Sequence, residues 1–235
     1  MGSYAGPTEI VNGLVLAFDA ANDKSYPNSG TTWSDLSGNA NNGTLIGGVG
    51  FNNNNSGILT FNGTSQYITS SSNIGISGDF NATISVWVNL SELSTGNRCV
   101  CMFGSTGTMQ GFGVFTNVAA YGSGSVAIAF YGSQFVYTSS GIISANSWYN
   151  IVATKSQGAV SSSNTFLYIN GITQNLTFGT SSTPNVINNK VYIGSDPANE
   201  YSNNMSVSSC SIYNRALSAQ EIQQNFNATR GRFGV

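Results

Sequence analysis

Residues 83–89 read TISVWVN. Ile84, Val86 and Val88 alternate with Thr83, Ser85, Trp87 and Asn89, and a period of two puts the aliphatic side chains on one face of a strand. That face is expected in a core. The opposite face sets a tryptophan among polar groups, and its flat Thr83, Ser85, Trp87 side is offered as a contact surface for a second subunit. Outward from this stretch the same pattern recurs in LVLAF at 14–18, ILTF at 58–61, VAIAFY at 126–131, WYNIVAT at 148–154, TFLYI at 165–169, KVYIG at 190–194 and SIYN at 211–214. Each run is short, rich in β-branched and aromatic residues, and bounded by Gly, Ser or Asn clusters. The spacing predicts an all-β, antiparallel sandwich.

One connection is legible in detail. FLYINGITQNL carries Asn170-Gly171 between two strand-like runs, and that dipeptide suits a two-residue type I′ turn with positive φ at both positions. Polar stretches at 37–43, 52–57 and 157–164 read as surface loops, none long enough for a domain linker. One domain over 12–235 follows, preceded by an N-terminal arm over 1–11 that is expected to be mobile. The C-terminal stretch changes period. Ser218-Ala219-Gln220-Glu221 spells a capping box, Leu217 and Ile222 a hydrophobic staple, and Ile222 with Phe226 one apolar stripe. A short helix of about three turns is expected there, stopping at Gly231.

Only 7% of the 235 residues are charged, against roughly 25% in an ordinary soluble domain. Seven Lys+Arg against nine Asp+Glu give a formal net charge of -2, which excludes the basic field that nucleic acid or an anionic membrane would need. The apolar runs fall far short of the ~20 residues of a membrane span, and residues 1–13 show no basic start or apolar segment of a secretion signal. Three cysteines, Cys99, Cys101 and Cys210, make no disulfide framework. Cys99 and Cys101 lie two apart on one strand, hence on one face. They read as buried free thiols, with a bridge from Cys210 to one of them as the alternative. With no histidine and no paired CxxC spacing, a metal site is not expected.

GLVLAFDAAN, TTWSDLSGNANNGTL, LTFNGTSQYI, TISVWVN, NSWYNIVATK, FLYINGI, VYIGSD and IYNRALSAQEIQQNF follow one another along residues 13–226. In that order they resemble the laminin G-like domains of the concanavalin A-like lectin/glucanase superfamily. The resemblance implies a jelly-roll of two antiparallel sheets. LVLAFDAAN with SYP at the start, and NFNATRGRFG at the end, further resemble laminin G-like modules of tailed-phage virions, including marine and cyanobacterial phages. Relatives carry an acid at the position of Gln66 and two aspartates at Ser208 and Ser209. Amides and hydroxyls there weaken a calcium site of the family type, so no cofactor is assigned.

Catalysis is argued against by what is missing. Without histidine there is no Ser-His-Asp or Cys-His unit, and the nine acids are scattered without the E-x-D-x-x-E strand motif of the superfamily's glucanases. The loop GSDPANEYSNN at 194–204 gathers Asp196, Asn199, Glu200 and Tyr201, which could hydrogen-bond sugar hydroxyls while the ring stacks on a pyranose. Its plainer reading is a turn begun by Asp-Pro. Trp33, Trp87 and Trp148 read as core residues, and Asp35 as a group bonding its own backbone amides. Arg215 reads as an anchor before the helix. Arg230, Arg232 and Phe233 lie past the helix and are assigned to docking on the domain or on a neighbouring subunit. The sequons at Asn62, Asn81 and Asn175 read as a consequence of Asn and Thr abundance. The expectation is a non-enzymatic virion structural protein, a capsid decoration, fibre or tail-associated component. It would sit in the particle beside other virion proteins, touch host-surface glycans, and form a dimer or trimer. A free carbohydrate-binding lectin module is the alternative, and a glycoside hydrolase the outlier.

Overall fold

The computed structural model describes residues 7–93, 96–132 and 134–235. In chain order its strands are β1 (Leu14–Asp19), β2 (Thr32–Trp33), β3 (Gly43–Ile46), β4 (Gly50–Asn52), β5 (Ile58–Asn62), β6 (Tyr67–Ser70), β7 (Ala82–Leu90), β8 (Arg98–Gly104), β9 (Gly111–Thr116), β10 (Val126–Tyr131), β11 (Gln134–Tyr137), β12 (Trp148–Lys155), β13 (Thr165–Ile169), β14 (Ile172–Thr173), β15 (Thr177–Phe178), β16 (Val191–Ile193) and β17 (Asn204–Tyr213). One α-helix, α1 (Ala219–Thr229), follows. The first sheet runs β14-β13-β12-β7-β17-β5-β4, with β1 also on β17, and the second β15-β11-β10-β9-β8-β16-β6-β3-β2. The all-β antiparallel sandwich with a short C-terminal helix is therefore the observed architecture. The Asn170-Gly171 turn joins β13 to β14 with φ of 51° and 75°, as its residues require.

The core lies between the sheets. Ile84, Val86 and Val88 of β7 face Phe103, Phe112, Val114 and Ile128 of the second sheet, all buried. Rings interlock across it, with Phe80 to Phe112 at 5.1 Å and Phe112 to Phe130 at 5.7 Å between centroids. Trp33 is wholly buried and stacks on Phe18 at 4.8 Å. Beside it the Asp35 carboxylate accepts from the Ala17, Ser37 and Asn41 amides, pinning the 35–41 turn to β1.

The other face of β7 is not open. α1 and the tail lie across it, so Trp87 is 2% exposed and its indole stacks on Phe233 at 4.0 Å and Phe226 at 5.8 Å. Its Nε1 donates to Thr229 Oγ1 at 2.8 Å. The contact surface expected at Thr83, Ser85 and Trp87 is thus corrected, because period two tells which residues share a face and not what lies over them. Thr83 is buried too, donating to the Arg215 carbonyl and accepting from the Leu217 amide, which fixes the approach to the helix.

The capping box forms as spelled: Glu221 N donates to Ser218 Oγ, and Ser218 N to the Glu221 carboxylate. Arg215 grips that carboxylate with both guanidinium nitrogens, at 2.9 and 2.7 Å, and donates from Nε to the Asn12 carbonyl. The expected stop at Gly231 is also corrected. α1 ends at Thr229, Gly231 lies within a 3₁₀ turn over Arg230–Arg232, and Gly234 carries the positive φ of 70°. Thr8 O and Ile10 N bond Gln224 and Asn225 of α1, and Tyr213 donates to Ile10 O, so residues 8–10 of the arm lie on the helix. The expectation of mobility for residues 1–6 lies outside the described residues.

Two bulges re-aim side chains. Cys99 pairs with Phe115 and Cys101 with Val114, leaving Val100 as the extra residue of β8. Cys99 and Cys101 therefore point to opposite faces, Cys99 outward and Cys101 into the core, overturning the shared face expected from their spacing. In β17 the register slips between Val207 and Ser209, so Met205, Val207, Cys210 and Ile212 all reach the core.

Candidate functional site: an aromatic recess on the second sheet

With the first sheet sealed by α1, the outer face of the second remains. In β10, Val126, Ile128 and Phe130 turn inward, while Ala127 and Ala129 turn outward and leave room above them. Rings from neighbouring strands and loops fill that room. Tyr121 stacks on Tyr137 with centroids 3.3 Å apart and 4° between planes. Phe135 meets Tyr121 and Phe115 edge-on at 6.1 and 6.4 Å. Phe115 meets Tyr201 at 6.0 Å, and Tyr201 meets Tyr131 at 6.3 Å. Cys99, Met102, Ala127 and Ala129 form the buried floor, whereas Tyr121, Tyr131, Phe135, Tyr137 and Tyr201 stay half-buried.

Between these rings lies a recess of about 50 Å³, bounded by Phe115, Tyr131, Phe135 and Tyr201 with Asn97 and Gly132 at its rim. That volume holds a water or two, not a sugar ring. A ligand would lie across the rings and send one substituent in, with Asn97 as a polar neighbour.

The 194–204 loop frames this recess, and its four singled-out residues divide. Asp196 is 1% exposed. Its Oδ1 accepts from the Glu200 and Tyr201 amides at 2.6 and 3.1 Å, and its Oδ2 accepts from the Tyr131 hydroxyl. The expectation that Asp196 meets a ligand is corrected, since its acceptors are consumed holding the turn. Burial, and then the bond to this carboxylate, push the Tyr131 phenol above its ordinary range, so Tyr131 stays a donor. Asn199 is exposed at φ 58°, but its Oδ1 accepts from Ser195 and Ser202 inside the loop. Glu200 stands exposed, and Tyr201 reaches the recess. Sequence reading thus found the loop and one ring, and missed Tyr121, Tyr131, Phe135 and Tyr137. The signal was present in QFVY at 134–137 beside VAIAFY, where small and aromatic residues share the outward phase.

The other singled-out residues are used inside the chain. Phe233 is buried on Trp87, and Arg232 pairs with Asp19 at 2.9 Å and donates to Ser208 Oγ. Arg230 lies over the Phe226 ring at 5.8 Å and is exposed. Gln66 and Ser208, two of the positions at which the resemblance would put calcium ligands, are engaged inside the chain. Gln66 bonds the Asn62 amide and the Gly48 carbonyl, and Ser208 Oγ lies between the Gly57 carbonyl and the cationic Arg232.

A family model for the concanavalin A-like lectin/glucanases superfamily matches residues 61–223. No curated protein matches the sequence. Among solved structures, domain 4 of AbnA, an extracellular arabinanase from Geobacillus stearothermophilus in complex with arabinotriose, is 16% identical with a TM-score of 0.66, covering 91% of this chain and 98% of that one. Trypanosoma rangeli sialidase in complex with 2,3-difluorosialic acid is 17% identical with a TM-score of 0.63, and the match covers 94% of this chain. The receptor-binding domain of a botulinum neurotoxin C/D mosaic serotype is 16% identical with a TM-score of 0.65, covering 92% of this chain. This chain spans 33% of the sialidase and 51% of the toxin domain. At these identities the likeness is one of fold.

Proposed function

The chain belongs to the concanavalin A-like lectin/glucanases superfamily, and we propose that it is a non-enzymatic binding module whose aromatic recess takes the apolar face of a glycan. The observation that carries this reading is the inequality of the two outer faces. One is closed by α1 and Phe233, while the other keeps five half-buried rings, of which Tyr131, Phe135 and Tyr201 line a recess with a polar rim. Such rings stack on the C–H faces of pyranoses, and Asn97 and Glu200 are placed to meet hydroxyls at the edge. The arabinanase domain solved with arabinotriose supports a sugar as ligand for this fold. The absence of histidine and the use of Asp196 as a turn brace support a module without chemistry of its own.

The setting proposed is the outside of a tailed-phage particle, among other virion proteins and against host-surface glycans, with self-association into a dimer or trimer. Its support is the resemblance of residues 14–27 and 225–234 to phage modules, together with the charge-poor composition. A glycan array, run with calcium and with chelator, tests the binding. Calcium-independent binding of at least one glycan is expected, whereas an empty array in both conditions would remove the reading. Turnover of any polysaccharide would overturn its non-enzymatic part. The setting is tested by mass spectrometry of purified particles, which must contain this chain.

A further inference from the structure

Cys101 on β8 and Cys210 on β17 come from opposite sheets, are both wholly buried, and bring their Sγ atoms to 3.5 Å as free thiols. Neither strand would aim its cysteine this way if it were regular. The extra residue Val100 turns Cys101 away from the outward side of Cys99, and the slip at Ser208 turns Cys210 inward alongside Met205 and Val207. Bulges that redirect a side chain are specific features of a strand, not random defects. Here two independent bulges converge on one sulfur pair.

We propose that Cys101 and Cys210 are a covalent modification site, forming one disulfide that ties the two sheets together when the chain folds in the presence of a small-molecule disulfide such as oxidised glutathione. One protein thiolate attacks a glutathione sulfur, giving a mixed disulfide and releasing one glutathione thiolate. The second protein thiolate then attacks the protein sulfur of that mixed disulfide and releases the second. Two protein S–H bonds are lost and one S–S bond forms; the oxidised glutathione is reduced to two thiols, which take up the two protons. The contact with Cys210 and the burial both push the Cys101 thiol above its ordinary range, so the closed sandwich is slow to exchange. Bridge formation therefore belongs to folding, before the sheets close. The domain has a dithiol form in a reducing compartment and a cross-linked form in an oxidising one.

The test is to refold the full chain from denaturant in a buffer of reduced and oxidised glutathione, alkylate the remaining thiols in denaturant, and map the peptides. The expected product has Cys101 joined to Cys210, Cys99 alkylated, and a melting temperature raised by about 10 °C over the dithiol form, because the closed loop is long. Dithiothreitol added to unfolded product should return all three thiols. Cys99→Ala should keep the bridge, and Cys210→Ala should abolish it. Three alkylated cysteines in the folded wild-type product, a bridge that includes Cys99, or a bridged form melting no higher than the dithiol would each overturn the proposal.

Discussion

Glu221 accepts from Arg215 through both oxygens and from the Ser218 amide, and these bonds, Arg215 first, hold its carboxyl at about 2 instead of 4.5. A depressed carboxyl stabilises the fold fully above its unfolded value, and that support is lost as pH falls from about 4.5 towards 2. Glu221→Gln keeps an acceptor for the Ser218 amide but loses the charge. Its deficit at neutral pH should stay under about 1 kcal/mol, since the pair is partly solvated. Melting curves of the two proteins should converge as pH drops through that window; a constant gap would contradict the assignment. Ser218→Ala removes the N-cap acceptor and should cost about 1 kcal/mol at any pH. The cap was legible in the sequence because the capping box spans only four residues, whereas the Arg215 grip on Glu221 came only with the structure. The role of Asp196 was not, because its phenol donor Tyr131 lies 65 positions away and no local pattern announces a distant partner.

At the level of elements, the 3₁₀ turn and tail after α1 act as a seal on the first sheet. Phe233 covers Trp87, and Arg232 fastens the turn to Asp19 and to the Asn55 carbonyl. Phe233→Ala should lower stability by about 2–3 kcal/mol by opening a cavity over the indole, roughly a 5–10 °C fall in melting temperature for a chain of this size. Light scattering of the same variant should show an unchanged oligomeric state. An unaltered melting temperature with lost assembly would place Phe233 in a subunit contact instead. The helix itself could be read from its cap, staple and stripe. What it covers could not, since Trp87 and Phe226 are far apart in sequence and their stacking is decided by the packing of layers. The bulges at Val100 and Ser208 were likewise invisible, because residue spacing assumes a regular pleat.

For the whole molecule, the sandwich class was legible from the many short runs with period two, and the order of quoted stretches pointed to the superfamily that the match over 61–223 establishes. The choice of face was not legible. Only the placement of α1 on one outer surface leaves the other as the place where Tyr121, Phe135 and Tyr201 gather. If that asymmetry defines the function, ligand binding should depend on rings whose loss spares the fold. Titrating an array-identified oligosaccharide into wild type, Phe135→Ala, Tyr201→Ala and Ile172→Ser, the last a substitution of an exposed hairpin residue on the other sheet, is the most direct measurement. The account predicts that each ring removal weakens binding by up to about tenfold, in line with roughly 0.5–1.5 kcal/mol per aromatic contact, while Ile172→Ser binds as wild type. Undiminished affinity in both ring variants, with all four proteins folded, would contradict it.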